Sequence, residues 1–111
     1  MLQELSQKKR TEFYHLCRKH NVKYMYAFGS AATMNSFDKT TSDIDLIVDL
    51  EESDPVERGE KLMSLWDELE NFFNRKVDLL TDASIRNPYL RKSIESSKIL
   101  IYDGEGPKVL I

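Results

Sequence analysis

Three aspartates interrupt two apolar segments of the sequence that otherwise have the composition of buried strands. Asp43 and Asp45 lie at the start of segment 43–50, and Asp78 lies within segment 76–80. Burial of an unpaired ionised carboxylate is costly, so stability does not explain acids at these positions. Carboxylate oxygens are preferred ligands of Mg²⁺ or Mn²⁺, whose remaining positions are taken by water and substrate phosphates. The pattern therefore indicates a divalent cation that holds a nucleoside triphosphate.

The spacing of the first two acids assigns them to one side of a strand. Asp43 and Asp45 are separated by one residue, so they share a face, while Ile44 and Leu46 lie on the opposite face. Asp78 joins the pair if its strand lies next to theirs. Two cations in such a site activate an attacking oxygen and stabilise a leaving pyrophosphate. An isolated Asp-x-Asp is more often a solvated acid pair, so this interpretation depends on the surrounding pattern.

A glycine and a serine end the aromatic and β-branched segment 22–28. Gly29 permits a tight turn and a close approach of the backbone to a ligand. Backbone N–H groups in the following turn, together with the Ser30 hydroxyl, could bind phosphate oxygens. A Gly-Ser pair is also common in ordinary turns, so it indicates a phosphate site only in combination with the acids.

Helices and strands alternate along the chain. Asp54 and Pro55 have the pattern of an N-cap and a first-turn proline, and an amphipathic stripe follows as far as Phe73. This order predicts an α/β (α+β) fold, a small mixed β-sheet of about four strands flanked by helices. We expect helices at 3–20, 54–73 and 87–97, a helical turn at 30–35, strands at 22–28, 43–50, 77–81 and 99–102, and a frayed end after 104.

Length and composition narrow the class of protein. The 111 residues predict a single domain, 1–111, and the net charge of −3 argues against a nucleic-acid partner. The single Cys17 fits a reducing compartment, and no segment has the character of a signal peptide or a membrane span, so we expect a cytoplasmic protein. We expect Cys17 in the core, and both His15 and His20 on the surface.

The turn 29–32 and the acidic segments 42–46 and 77–79 together resemble the polymerase-β-like nucleotidyltransferase superfamily. The small size is similar to its minimal nucleotidyltransferase (MNT) branch, whose members are paired with HEPN-domain proteins in toxin–antitoxin systems. The resemblance covers about residues 22 to 102. It implies a nucleotidyltransferase-like fold, and Mg²⁺ (or Mn²⁺) and a nucleoside triphosphate such as ATP as ligands.

The resemblance also implies a role for each residue of the motif. Asp43, Asp45 and Asp78 would form the catalytic metal site, and Asp78 would help to activate the acceptor hydroxyl. Gly29 and Ser30 would contact the nucleotide phosphates. The expected reaction transfers a nucleoside monophosphate, AMP from ATP, to a hydroxyl of a HEPN-like helical protein partner.

One part of the family turn is absent from this chain. The family commonly continues the turn with a basic residue and a glycine, where this sequence has Thr33 and Met34. Loss of the basic group removes an electrostatic partner of the triphosphate, for which Lys39, Arg91 or Lys92 could substitute. This loss favours one alternative, a catalytically weak or inactive module that neutralises its partner by occlusion. An antibiotic-modifying transferase, which would need a second subunit to complete its acceptor pocket, also stays open, as does a homo-oligomer.

Overall fold

The computed structural model describes residues 7–28, 44–105 and 108–109. The predicted helix start at 3–6, the turn at 30–35 and the first residue of the strand predicted at 43–50 lie outside these ranges. The other predicted helices and strands are present within two residues of their expected ends. They are α1 (Gln7–Lys19), β1 (Val22–Phe28), β2 (Ile44–Leu50), α2 (Pro55–Phe73), β3 (Val77–Thr81), a 3₁₀ turn (Asp82–Ser84), α3 (Pro88–Ser97), β4 (Ile99–Asp103) and β5 (Lys108–Val109).

The strands form one mixed sheet in the order β3-β2-β1-β4-β5. β1 is antiparallel to both β2 and β4, whereas β2 and β3 are parallel and are connected through α2. The predicted mixed α+β fold is therefore confirmed. The expectation of a frayed end after 104 is wrong at Lys108 and Val109, because their backbones pair with the end of β4 and the Val109 side chain packs against the core.

The main core lies between the sheet and helices α1 and α2. Phe13 and Cys17 of α1 and Leu65 and Leu69 of α2 are fully buried against it. The placement of Cys17 confirms the prediction of a core thiol. A smaller apolar cluster covers the opposite face of the sheet, where α3 packs; its buried members are Phe28, Ile47, Ile85 and Ile94.

Local capping residues set several of the helix ends. The Asp54 carboxylate accepts a hydrogen bond from the Val56 backbone N–H at 3.0 Å, as expected for the N-cap of α2. Asn87 caps α3 in the same way. Asn21 and Asn74 follow α1 and α2 with φ values of 57° and 56°, the left-handed conformation in which asparagine commonly ends a helix.

His20 is buried, so the expectation of a surface histidine is wrong at this position. Its side chain is 3% exposed because α2 packs over the end of α1. Nδ1 donates a hydrogen bond to the Leu16 carbonyl over 2.8 Å, and Nε2 lies 3.0 Å from the Ser64 hydroxyl. His20 therefore joins the two helices. His15 is exposed, as expected.

Candidate functional site

The parallel pairing of β2 with β3 brings Asp45 and Asp78 together. The two residues are directly in register, and Cα atoms of paired residues on adjacent strands are about 4.8 Å apart. Ile44 and Leu46 are buried in the main core, so Asp45 lies on the other face of the sheet. Asp45 is half-buried and Asp78 is exposed. The expectation that a neighbouring strand places Asp78 beside Asp45 is therefore confirmed.

The end of β1 lies on the other side of Asp45. Phe28, the last residue of β1, pairs with Asp45 in antiparallel register. Gly29 and Ser30 follow Phe28 in the sequence, and Asp43 precedes β2, but these three residues lie outside the described ranges. The assignment of Gly29, Ser30 and Asp43 to the site therefore stays a prediction. All three lie in the sequence between Phe28 and Ile44.

An apolar surface adjoins the two acids on their face of the sheet. Ile47 follows Asp45 by two residues in β2, and its register partner Leu80 follows Asp78 by two residues in β3. Both pack with Ile85 and Ile94 in the smaller apolar cluster. Low polarity on this side strengthens the interaction of the half-buried Asp45 carboxylate with a cation, because the local dielectric response there is weaker than in water, whereas water screens the exposed Asp78.

The donor set suits a hard divalent cation. Asp45 and Asp78 offer carboxylate oxygens from two rigid strands, and oxygen is the donor atom that Mg²⁺ and Mn²⁺ prefer. Within residues 7–28, 44–105 and 108–109, no group of three or more histidine, cysteine, aspartate or glutamate side chains is placed to hold a metal. The predicted group of three includes Asp43, which is not among these residues, so the complete triad stays a prediction.

Arg91 is engaged elsewhere and is a poor substitute for the missing basic residue of the turn. Its guanidinium donates to the Asp82 carboxylate at 3.0 Å and to the carbonyls of Asp82 and Ile85 at 3.0 and 3.1 Å. These bonds connect α3 to the end of β3. Lys92 is exposed on α3, and Lys39 lies outside the described residues.

Two residues of α2 contact the backbone next to Asp78 and were not expected from the sequence. The Trp66 indole N–H donates to the Val77 carbonyl over 2.7 Å, and the Glu70 carboxylate accepts from the Val77 N–H at 3.0 Å. Trp66 belongs to the amphipathic stripe predicted for α2, which did not indicate this contact. A half-buried indole requires a hydrogen-bond acceptor, and this requirement is the one signal that the sequence offered.

A mixed sheet that carries paired acids on two parallel strands, beside the end of an antiparallel strand, defines a nucleotidyltransferase-like domain. The family model described as "Polymerase beta, Nucleotidyltransferase" matches residues 12–105. The chain belongs to this family and is a nucleotidyltransferase. The family membership predicted from the motif is thereby confirmed.

Two curated relatives come from Methanocaldococcus jannaschii. "Putative protein adenylyltransferase MJ1217" is 43% identical over 78% of this chain and 83% of its own length. "Putative protein adenylyltransferase MJ0126" is 39% identical over 90% of this chain and 94% of its own length. The similarity therefore extends over most of each of these relatives.

Solved structures share the fold at lower sequence identity. A chain of a toxin–antitoxin crystal structure with AMP-PNP aligns with a TM-score of 0.58 and 21% identity, over 85% of this chain and 73% of its own. A Shewanella oneidensis complex, described as a tri-AMPylated HEPN toxin with its MNT antitoxin, gives 0.51 and 20% over 92% and 76%. A structure described as a "putative minimal nucleotidyltransferase" gives 0.56 and 24% over 84% and 89%. The minimal nucleotidyltransferase fold expected from the sequence is thus confirmed.

Proposed function

We propose that this protein transfers AMP from ATP to a hydroxyl of a protein partner, and that it is the antitoxin of a HEPN/MNT-type pair. The observation that carries the proposal is the in-register pair of Asp45 and Asp78 on parallel neighbouring strands. The protein adenylyltransferase names of relatives at 37–43% identity support AMP as the transferred group. The fold shared with an MNT antitoxin in complex with an AMPylated HEPN toxin supports the choice of partner.

In this proposal Asp43, Asp45 and Asp78 hold Mg²⁺ or Mn²⁺, and Gly29 and Ser30 bind the phosphates. When bound, the cation neutralises charge on the triphosphate and polarises the α-phosphate. Asp45 contributes a half-buried carboxylate two residues from Ile47 of the smaller apolar cluster. Asp78 is exposed and can therefore be reached by a group that a partner protein presents.

The transfer exchanges one bond of the α-phosphorus for another and moves one proton. The acceptor oxygen attacks the α-phosphorus while the bond from that phosphorus to the bridging oxygen breaks, and its electron pair leaves with pyrophosphate. Asp78 accepts the proton of the acceptor hydroxyl. Two strands that fix the carboxylates in register supply the positioning on which phosphoryl-type transfer depends.

Two further parts of the proposal concern the molecule as a whole. We propose that residues 1–111 form one minimal nucleotidyltransferase domain, supported by the single sheet that joins all five described strands. We also propose a cytoplasmic location, supported by the buried unpaired thiol of the single cysteine, Cys17. Among the helices that the structure describes, none is long and apolar enough to cross a membrane.

Label transfer tests the activity. The protein is incubated with Mg²⁺, ATP labelled at the α-phosphate and a HEPN-domain protein encoded next to its gene, and protein-bound label is counted. We expect Asp45→Asn and Asp78→Asn to abolish the transfer. The matched control is Asp49→Asn, since Asp49 lies on the same strand and alternates onto the same face as Asp45. Equal transfer by all four proteins would contradict the assigned site.

Thr33 and Met34, which replace the basic residue and glycine of the family turn, favour one alternative. In it, the protein retains the fold but neutralises its partner by occlusion, without transfer. A wild-type protein that binds and inhibits the HEPN-domain protein, yet transfers no label with Mg²⁺ or Mn²⁺, would establish this alternative and exclude the enzyme.

A further inference from the structure

The outer edge of β3 is the edge of the sheet nearest the candidate site. Among the strands that the structure describes, β3 is the terminal strand on its side of the sheet and pairs with β2. The Lys76 carbonyl accepts a hydrogen bond from the Ile44 N–H at 3.0 Å, so the backbone groups of residue 76 face β2. Backbone groups alternate in direction along a strand, so those of Val77, Leu79 and Thr81 face away from the sheet. An edge of this kind normally presents unpaired N–H and C=O groups.

Side chains of α2 form hydrogen bonds with both outward-facing backbone groups of Val77, its N–H and its C=O. Trp66 and Glu70 are four residues apart and therefore lie on the same face of the helix. The Trp66 indole donates to the carbonyl over 2.7 Å, and the Glu70 carboxylate accepts from the N–H at 3.0 Å. Val77 is 1% exposed, so this pair of bonds is shielded from water. Val77 is therefore hydrogen-bonded to α2 on the outer side of β3, whereas Lys76 is hydrogen-bonded to β2 on the inner side.

The outward-facing backbone groups at the other end of β3 are also hydrogen-bonded to a side chain. We call each such pair of bonds, at Val77 and at Thr81, a closure of the β3 edge. The Ser84 hydroxyl accepts from the Thr81 N–H at 3.2 Å and donates to the Thr81 carbonyl at 2.7 Å. Thr81 therefore has both of its outward groups occupied, as Val77 does. The two closures differ in location: Val77 adjoins Asp78, and Thr81 is three residues beyond it.

We propose that Trp66 and Glu70 are positioning residues that hold the Asp78 carboxylate at its working distance from Asp45. The proposal rests on the function proposed above. Two carboxylates on adjacent strands repel each other, and the repulsion acts to move the edge strand outward. The bonds from α2 oppose this displacement at the residue next to Asp78. A misplacement of about 1 Å in a reacting group can lower a rate by about 100-fold, so a small shift of β3 is sufficient to impair transfer.

Four variants separate positioning from general stability. Trp66→Phe keeps an aromatic ring but removes the N–H, and Glu70→Ala removes the acceptor. Glu70→Gln retains a carbonyl oxygen that can accept the hydrogen bond from the Val77 N–H, so it should preserve both slow exchange at Val77 and kcat. Ser84→Ala is the matched control, because it removes the same kind of closure from the end of β3 that is distant from Asp78.

The first measurement is amide hydrogen exchange in the protein without nucleotide or metal. We expect Trp66→Phe and Glu70→Ala to accelerate exchange at Val77 by about tenfold or more, since a lost hydrogen bond exposes the amide to local opening. Glu70→Gln should stay close to wild type. Ser84→Ala should accelerate exchange at Thr81 and leave Val77 unchanged.

The second measurement is label transfer with the wild-type protein as reference. We expect Trp66→Phe and Glu70→Ala to lower kcat by about tenfold or more with a smaller change in KM for ATP, because the displaced group acts in the chemical step. Glu70→Gln and Ser84→Ala should retain kcat within about twofold.

The two measurements distinguish failure of this proposal from failure of the proposed function. If the wild-type protein transfers no label, the proposed function is wrong. The hydrogen bonds from Trp66 and Glu70 to Val77 then have no catalytic role, whatever the exchange rates are. Fast exchange at Val77 together with wild-type kcat overturns the positioning role alone. Equal loss of kcat in Ser84→Ala and Glu70→Ala also overturns it, since that result indicates a general loss of strand stability. If Glu70→Ala does not fold, Trp66→Phe and Glu70→Gln decide the outcome.

Discussion

Neutralisation of Asp78 is expected to stabilise the folded protein while it abolishes transfer. Asp45 and Asp78 are directly opposite on adjacent strands, and like charges in this arrangement destabilise a sheet. If the separation of the two charges is taken as the strand spacing of about 4.8 Å, they repel by about 1 kcal/mol at the dielectric constant of water, which is the appropriate limit for the exposed Asp78. Asp78→Asn removes one of the charges and keeps the side-chain volume.

The free energy of unfolding of Asp78→Asn should therefore rise by about 1 kcal/mol, which corresponds to a higher melting temperature by about 4 °C in a domain of this size. The measurement is thermal and urea unfolding in a chelator-treated buffer of low ionic strength. Salt at 1 M should reduce the difference, because the Debye length falls to about 3 Å. Glu60→Gln is the control for net charge, because Glu60 is exposed on α2 and its substitution removes the same formal charge as Asp78→Asn.

Mg²⁺ provides the functional arm of the same experiment. A cation that binds the folded site raises the melting temperature of the wild-type protein and of Glu60→Gln, whereas Asp78→Asn should respond little. The reasoning is refuted if Asp78→Asn melts at or below the wild-type temperature at low salt. It is also refuted if Glu60→Gln gives the same gain as Asp78→Asn, because the effect would then depend on net charge and not on the opposed carboxylates.

Three other predictions test the core. His20→Ala should lower the free energy of unfolding by about 2 kcal/mol, because it removes the bond to Ser64 of α2 and the bond to the Leu16 carbonyl of α1, whereas His15→Ala should have little effect in the same urea titration. Burial raises the pKa of the Cys17 thiol far above its usual range, so iodoacetamide at pH 8 should leave native Cys17 unmodified and alkylate it in urea; rapid native labelling would contradict this. Leu69→Ala should cost about 3 kcal/mol in denaturant unfolding, since Leu69 is fully buried, whereas Met63→Ala at a 64% exposed position should be nearly neutral; equal losses would contradict the assigned core.

The closure of β3 also affects how a partner can bind. Val77 and Thr81 already have their outward backbone groups hydrogen-bonded to side chains of this chain. A partner strand that paired with this edge would have to displace those bonds. Recognition at Asp78 is therefore expected to use side-chain contacts, which leaves the proposed acceptor hydroxyl free to approach the carboxylate.

The sequence by itself determined the elements and the face on which an acid lies. The cap at Asp54, the left-handed stop at Asn21 and the apolar stripe of α2 depend on residues within a turn or two of one another. The alternation of Asp45 with Ile44 likewise follows from the two-residue period of a strand. The family motif also indicated the correct class of protein, because it combines several such local patterns in one order.

The tertiary structure alone decided which of these elements meet. Strand periodicity does not state that β3 is parallel to β2 or that Asp78 pairs with Asp45, and that register depends on the packing of the whole sheet. Burial of His20 and the contact of Trp66 with Val77 both depend on where α2 crosses its neighbours. Local residue types set the conformation of each segment, but partners distant in sequence set its contacts. The acids were therefore recognisable from the sequence, whereas their register and the hydrogen bonds from Trp66 and Glu70 to Val77 were visible only in the fold.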